Sequence, residues 1–200
     1  MSDNLIIAIN RQYGSGGKEI GTLLAKELGI PIYDQEIPEL ASKKSGIRKD
    51  YFEKVDEKHT DSFLYALAMN TFSMNGTVNP FDHALSSDRL FNIQAETVQG
   101  LAKKSSCVII GRCAEYILRD EPKLVSVYVC GQMEKRVERI CRLYQLSEKE
   151  AHKKFMSIDK KRDSYYGYYA GKDWRACASY NLSLDSGVLG TEKTKEMIKK

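Results

Sequence analysis

The 200-residue sequence predicts an α/β protein whose parallel sheet carries helices on both faces, and three observations lead there. Short apolar runs alternate with helical patterns along most of the chain. Those runs are apolar at successive positions, as in strands covered on both faces, instead of at every second position. The first run also breaks into a glycine-rich turn that opens directly onto a helix, the order found where a backbone loop grips an anion.

The elements follow in order. Leu5 to Ile9 is a β-branched run read as the first strand, and residues 10–17 form a loop with glycines at 14, 16 and 17. From Lys18 to Leu28, Ile20, Leu23, Leu24 and Leu28 recur at the spacing of an amphipathic helix, with Gly29 as its stop. Ile30 to Tyr33 reads as a second strand ending at Asp34, and Glu36 to Lys44 as a helix stopped by Ser45-Gly46. The middle is read as a helix over 50–70, a turn-rich connection over 75–82 around Gly76 and Pro80, and a long helix from Arg89 to Lys104. Cys107 to Ile110 and Leu124 to Val129 are expected as buried strands, each leading into a helix. Glu134 to Tyr144 and Ser147 to Tyr166 read as helices, the second announced by the capping box Ser147-x-x-Glu150. Tyr180 to Leu184 is expected as the last strand and Thr191 to Lys199 as the closing helix.

An apolar share of 42% supports one sizeable core, so a single domain over 1–200 is expected. The apolar run at 5–9 is too short for a signal peptide or a membrane span, which gives the expectation of a cytoplasmic protein with no membrane partner. Cys107, Cys113, Cys130, Cys141 and Cys177 are odd in number, scattered and without a C-x-x-C pair, and are expected as buried, reduced thiols. His59, His83 and His152 share no metal-ligand spacing, and no protein-held metal is expected. The formal charge of +4 comes from interspersed charges, which suits a small anionic substrate; no nucleic-acid partner is expected.

The glycine loop carries the chemistry. Phosphate oxygens can be held by backbone N–H groups only where the chain passes very close, and Gly14, Gly16 and Gly17 remove the side chains that would block it. Lys18 at the start of the helix adds a full charge, and Ser15 a hydroxyl. A tight turn with no ligand is the plain alternative. Set against the pattern G-x-x-x-x-G-K-[ST], Gly17-Lys18 is followed by Glu19 and Gln12 holds the first glycine's place. Anchored instead on Gly14-Ser15-Gly16, the pattern's lysine falls on Gly17 and its hydroxyl on Lys18.

The stretch Ile9 to Ile20 (Ile-Asn-Arg-Gln-Tyr-Gly-Ser-Gly-Gly-Lys-Glu-Ile), the Leu-Gly-Ile-Pro-Ile-Tyr-Asp of 28–34, Ile110-Gly111-Arg112 and Asp159-Lys160-Lys161-Arg162 together resemble the cytidylate kinase-like family, in order and over nearly the whole chain. The resemblance implies a three-layer P-loop kinase fold with a parallel, five-stranded sheet, an acceptor-binding helical region at about 35–104 and a helical lid at about 147–175. It also implies phosphoryl transfer from ATP, with Mg2+, to a small phosphorylated acceptor such as CMP or dCMP. Residue by residue, Gly14, Ser15, Gly16, Gly17 and Lys18 would hold ATP phosphates, with Arg136 and Arg139 on the ATP side. Asp34 and Arg112 would face the acceptor. Lys18, Asp159 and Arg162 would carry catalysis, with Arg162 meeting the charge of the transferred group and Asp159 orienting that arginine or the acceptor.

The departures bear on the acceptor. Asp34 is followed by Gln35-Glu36-Ile37-Pro38 where the family has a Ser-Gly turn and a Tyr-Arg pair, and Cys113 stands where an Asp follows the Gly-Arg arginine. Three readings therefore stay open: a nucleoside monophosphate kinase, a P-loop kinase of another small acceptor, and a nucleotide-binding regulatory protein with weak or no catalysis. Taken without the resemblance, residues 159–162 read as a solvated charged helix face. Tyr165, Tyr166, Tyr168 and Tyr169 near Trp174 read as core packing, or as stacking platforms for bases.

Overall fold

The first apolar run becomes the central strand of a five-stranded parallel sheet with the order β2-β3-β1-β4-β5. The computed structural model describes residues 4–52 and 87–200, and the expectations for the helix over 50–70 beyond residue 52, the turn at 75–82, His59 and His83 lie outside them. The strands are β1 (Ile6–Arg11), β2 (Ile32–Tyr33), β3 (Cys107–Ile110), β4 (Leu124–Cys130) and β5 (Leu182–Asp185). The helices are α1 (Gly17–Leu28), α2 (Glu36–Ser45), α3 (Ser87–Lys104), α4 (Ala114–Ile117), α5 (Met133–Tyr144), α6 (Glu148–Ala170) and α7 (Ser186–Lys199). The chain divides into two compact units, Met1–Asp34 with Gln99–Lys200, and Gln35–Val98.

Both faces of the sheet are covered, which is why its strands are apolar at successive positions. On one face Ile7, Ile9, Val108 and Val127 pack against Ile20 and Leu24 of α1 and Ile198 of α7. On the other face lie α4 and an aromatic group in which Tyr128 meets Trp174 edge-on at 5.5 Å and stacks on Tyr180 at 5.1 Å. Each such fully buried large side chain contributes about 1.5–3 kcal/mol relative to exposure. Tyr165, Tyr166 and Trp174 are buried, so packing is their role, while Tyr168 stays exposed. In the second unit Ala41, Phe52 and Leu90 form a small core of their own.

Several element ends depart from the sequence reading for local reasons. The second strand shrinks to Ile32–Tyr33, because Gly29 is left-handed and the N–H of Ile30 turns back to the Ala25 carbonyl at 3.0 Å, closing α1. The last strand starts later than Tyr180, since a 3-10 turn occupies Cys177–Ser179 and the Asn181 side chain accepts the N–H of Ser126. The helix after β3 is only four residues long. In the closing helix Gly190 (φ 74°, ψ 166°) breaks the run, so the regular part begins near Thr191 while a preceding turn starts at Ser186. The thiols are free but not all buried: Cys107 and Cys113 are, Cys130 and Cys141 are half-buried, and Cys177 is exposed. His152 is exposed and packs edge-on against Phe155.

The capping box forms as read: Ser147 Oγ accepts the N–H of Glu150, and the Glu150 carboxylate accepts the N–H of Ser147 at 2.9 Å. Ser147→Ala is expected to lower the unfolding free energy by about 1 kcal/mol in urea titration, with the slope of the transition unchanged.

Candidate active site

The segments that follow the five strands lie at the carboxyl edge of the sheet, where open parallel sheets bind ligands. The glycine loop follows β1, Asp34 follows β2, Gly111-Arg112 follows β3, Gly131 follows β4 and Ser186 follows β5.

The loop is shaped by its glycines and pinned from three sides. Gly14 (φ 83°) and Gly16 (φ 82°) are left-handed, and a Cβ at Gly14 would stand 2.9 Å from the Arg136 carbonyl oxygen. Gln12 accepts the Gly131 N–H at 3.1 Å through its side chain, and the Ser186 hydroxyl lies 2.6 Å from the Ser15 carbonyl and 2.8 Å from that of Cys130. The Ser15 hydroxyl donates to the Gln12 carbonyl at 2.9 Å, so it serves the loop's own fold. As in any α-helix the first N–H groups of α1 have no intrahelical partner, and no side chain caps this end, which leaves it open to an anion.

Tyr13 is the third pin. Its N–H donates to Asp159 Oδ1 at 2.7 Å, its carbonyl accepts Arg136 Nε at 2.8 Å, and the Arg136 and Asp159 side chains, both buried, pair with each other. The charged run at 159–162 is thus not a uniformly solvated face: Asp159 lies on the buried stripe of α6 with Ala151 and Phe155. Arg136 also stacks over the Phe155 ring at 4.6 Å.

Cations gather along the edge. Arg162 Nη1 donates to the Arg11 carbonyl at 2.8 Å. Lys18 Nζ meets Asp34 at 2.7 Å, and Arg11 Nη2 is 3.7 Å from the same carboxylate. Burial first, then the charges of Arg162 and Arg112, pull the Arg11 pKa well below its ordinary value, with Asp34 opposing. Burial likewise lowers Arg162, against Asp159 and Asp34. Arg112 (φ 62°) and Cys113 (φ 52°) are held left-handed directly after Gly111 (φ 70°), a conformation costing on the order of 1 kcal/mol or more per non-glycine residue. Such strain persists where surrounding structure imposes it, and here it turns Arg112 at the sheet edge.

Beside the loop is a cavity of about 260 Å³ lined by Gly14, Ser15, Arg136, Arg139, Arg142 and Ser186, among others. Arg139 lies over Gly16, where a Cβ would come within 3.1 Å of its Cζ, and pairs with Glu19. These residues fit a polyphosphate: open backbone amides, no intruding side chains and arginines on the rim. They do not fit a protein-held magnesium ion, because Lys18 or Glu19 occupies the hydroxyl position and no acidic or His/Cys cluster able to hold a metal occurs among the described residues. No described helix is long and apolar enough to cross a membrane.

Under the edge, Glu115 of α4 is buried near Asn10, whose side chain bonds Tyr180 Oη at 3.2 Å. Burial pushes the Glu115 carboxyl up from 4.5 to about 7, opposed by hydrogen bonds with its own backbone, Tyr166 and Asn10.

The model of the cytidylate kinase-like family matches residues 6–188. The chain belongs to that family. No curated protein matches the chain. Among solved structures, an uncharacterized protein from Eubacterium ventriosum ATCC 27560 is 25% identical, with 98% of this chain and 96% of that one covered and a TM-score of 0.70. Shikimate kinase from Bacteroides thetaiotaomicron aligns at 10% identity over 98% of this chain and 99% of its own, TM-score 0.53. Shikimate kinase from Acinetobacter baumannii, in complex with shikimate, aligns at 14% identity over 99% and 92%, TM-score 0.51. At such identities the kinases share the fold, and the cytidylate kinase-like chain has the three-layer P-loop kinase architecture.

The structure brings Gly14 to Lys18, Arg136, Arg139, Asp159 and Arg162 together around the loop, and Asp34 and Arg112 to the β2 and β3 ends of the same edge. The sequence reading missed Arg11, Gln12 and Ser186. For Arg11 a signal existed: a charged residue ending an otherwise apolar strand.

Glu115 yields a pH test. Its raised folded-state pKa means the folded protein holds the extra proton, so its stabilising contribution is full below about 4.5 and is lost as pH rises through about 7. Glu115→Gln is expected to gain stability relative to the unsubstituted protein between pH 5 and pH 8, by up to roughly 3 kcal/mol in denaturant titrations.

Proposed function

We propose that this member of the cytidylate kinase-like family transfers a phosphoryl group from ATP to a nucleoside monophosphate. The observation that carries the reading is the convergence of a glycine loop, a helix start and the arginines 11, 112 and 162 at one edge of a parallel sheet.

ATP supplies the phosphoryl group and the leaving diphosphate. The backbone N–H groups of 14–18 hold its phosphates, and Arg136 and Arg139 flank it from α5. Lys18 and Asp34 join the loop to the acceptor side, where Arg112 takes the acceptor's phosphate, and the 35–104 segment selects the acceptor. Arg162, already anchored on the Arg11 carbonyl, stands where charge spreads over the equatorial oxygens in the transition state. Asp159 is a positioning residue: it holds Tyr13 and Arg136 and, through them, the loop. Any magnesium ion arrives with the nucleotide's phosphates. One feature favours the second reading of weak catalysis in a nucleotide-binding protein: Lys18 and Glu19 leave the loop without its usual metal-binding hydroxyl.

The test is coupled measurement of ADP production against a panel of nucleoside monophosphates with and without magnesium. Turnover with at least one of them is expected. ATP binding with no turnover on any acceptor establishes the regulatory reading instead, and turnover only with a different hydroxyl or phosphate acceptor removes the nucleotide assignment.

The two outer arginines should fail differently. Arg112→Ala is expected mainly to raise the acceptor KM, because it holds ground state and transition state alike. Arg162→Ala is expected to lower kcat by roughly a hundredfold or more, with poor rescue by lysine, whose point charge cannot bridge two oxygens. Steady-state kinetics on folded variants decide it, and a near-normal kcat for Arg162→Ala removes that residue from the chemistry.

A further inference from the structure

Arg11 and Gly17 compete for one volume. A Cβ at residue 17 would stand 2.5 Å from the Cβ of Arg11 and 3.1 Å from its Cγ, so a side chain at 17 and the stem of Arg11 exclude each other. Laid with its second glycine on Gly16, the phosphate-loop pattern G-x-x-x-x-G-K puts its first glycine at residue 11 and its lysine at residue 17. The two departures are therefore one exchange in space: a cation has appeared at the first position, and the side chain at the lysine position has gone.

We propose that the loop's cation has been transposed from residue 17 to residue 11, making Arg11 the side chain that meets the terminal phosphates of the bound polyphosphate. This rests on the phosphoryl-transfer reading above. Lys18, the other cation available, has its Nζ on Asp34 at 2.7 Å and is 58% exposed, whereas the Arg11 side chain is 17% exposed. The Arg11 fork crosses toward β3: a Cβ at Gly111 would lie 2.2 Å from its Nη1, so a side chain there would displace the fork, and the left-handed backbone of Gly111 (φ 70°) disfavours one in any case. Two glycines thus border the Arg11 side chain, Gly17 along its stem and Gly111 at its guanidinium.

The electrostatics point to an anion. Arg11 feels Arg162 and Arg112 as neighbouring positive charges, opposed by Asp34 and Asp159, which are shared with Lys18 and Arg136. Arginines brought together away from bulk water repel one another until a multivalent anion joins them, and a polyphosphate does so with paired oxygens that match the planar guanidinium fork. The transposition also explains why arginine and not lysine stands at 11: from the end of β1 the charge must cross the edge above Gly111, and a fork can reach two oxygens from there.

The experiment uses calorimetric titration of the full chain with MgATP and, separately, with inorganic tripolyphosphate, each variant first checked by thermal melt. Arg11→Met is expected to weaken both ligands by roughly tenfold or more, Arg11→Lys to lose part of that, and Lys18→Met to lose less than Arg11→Met. The double variant Arg11→Gly/Gly17→Lys, which moves the charge back, is expected to recover affinity to within about threefold of the unsubstituted chain. Gly17→Ala is expected to lower the melting temperature in the Arg11 chain and to be tolerated in an Arg11→Gly background, a comparison that does not depend on any ligand.

The proposal is overturned if folded Arg11→Met binds both ligands within about twofold of the unsubstituted chain while Lys18→Met loses them. It is also overturned if Gly17→Ala has the same effect in both backgrounds. Tight, Arg11-dependent binding of tripolyphosphate with no binding of MgATP keeps Arg11 as the anion ligand and removes the ATP reading. MgATP binding indifferent to Arg11 does the reverse, and binding of neither ligand removes both.

Discussion

The site depends on a clasp around the backbone of a single residue, Tyr13. Asp159 takes its N–H, Arg136 gives to its carbonyl, and the two side chains pair in a buried position between α5 and α6. A glycine-rich loop has too many accessible conformations to hold its amides in one arrangement unaided, since each glycine loses more freedom on ordering than any other residue. The clasp offsets that loss with charge-assisted hydrogen bonds, and it joins the loop to two helices that the sequence places far downstream. Removing one partner would leave a buried charge uncompensated, at a cost of roughly 3–5 kcal/mol.

The clasp also sets which charges remain available. Asp159 and Asp34 are the carboxylates that support Arg11 and Arg162 against burial, and each is shared with a second cation, Asp159 with Arg136 and Asp34 with Lys18. Electrostatic preorganisation of this kind is what phosphoryl transfer demands, because there is little covalent work for the protein to do and much charge to hold. The strain at Arg112 and Cys113 lies at the same edge: a left-handed pair after Gly111 turns the chain from β3 into the short helix α4.

Much of this was legible in the one-dimensional pattern. The continuous apolar runs at 6–9 and 107–110 gave parallel, doubly covered strands, because burial on both faces leaves no position for a polar residue. The Ser147 capping box and the glycine stops at 29 and 46 located helix ends, since these are local events within a few residues. The shortened second strand was not legible, because it depends on how Ile30 turns back to cap α1. Nor was the burial of Asp159, which depends on which stripe of α6 faces α5.

What the sequence by itself determined is the set of pieces: a parallel sheet, a glycine loop between its first strand and first helix, and arginines placed at strand ends and on a late helix. These follow from periodicity and from short-range sterics, which act between neighbours along the chain. Only the tertiary structure decided how the charges are shared. Asp159 sits 146 residues from Tyr13 and Arg162 sits 151 from Arg11, and no local rule tells a carboxylate that clasps a loop from one that faces water. That choice is made by desolvation and by Coulomb's law over a few ångströms, and those distances exist only once the sheet has brought its carboxyl edge together.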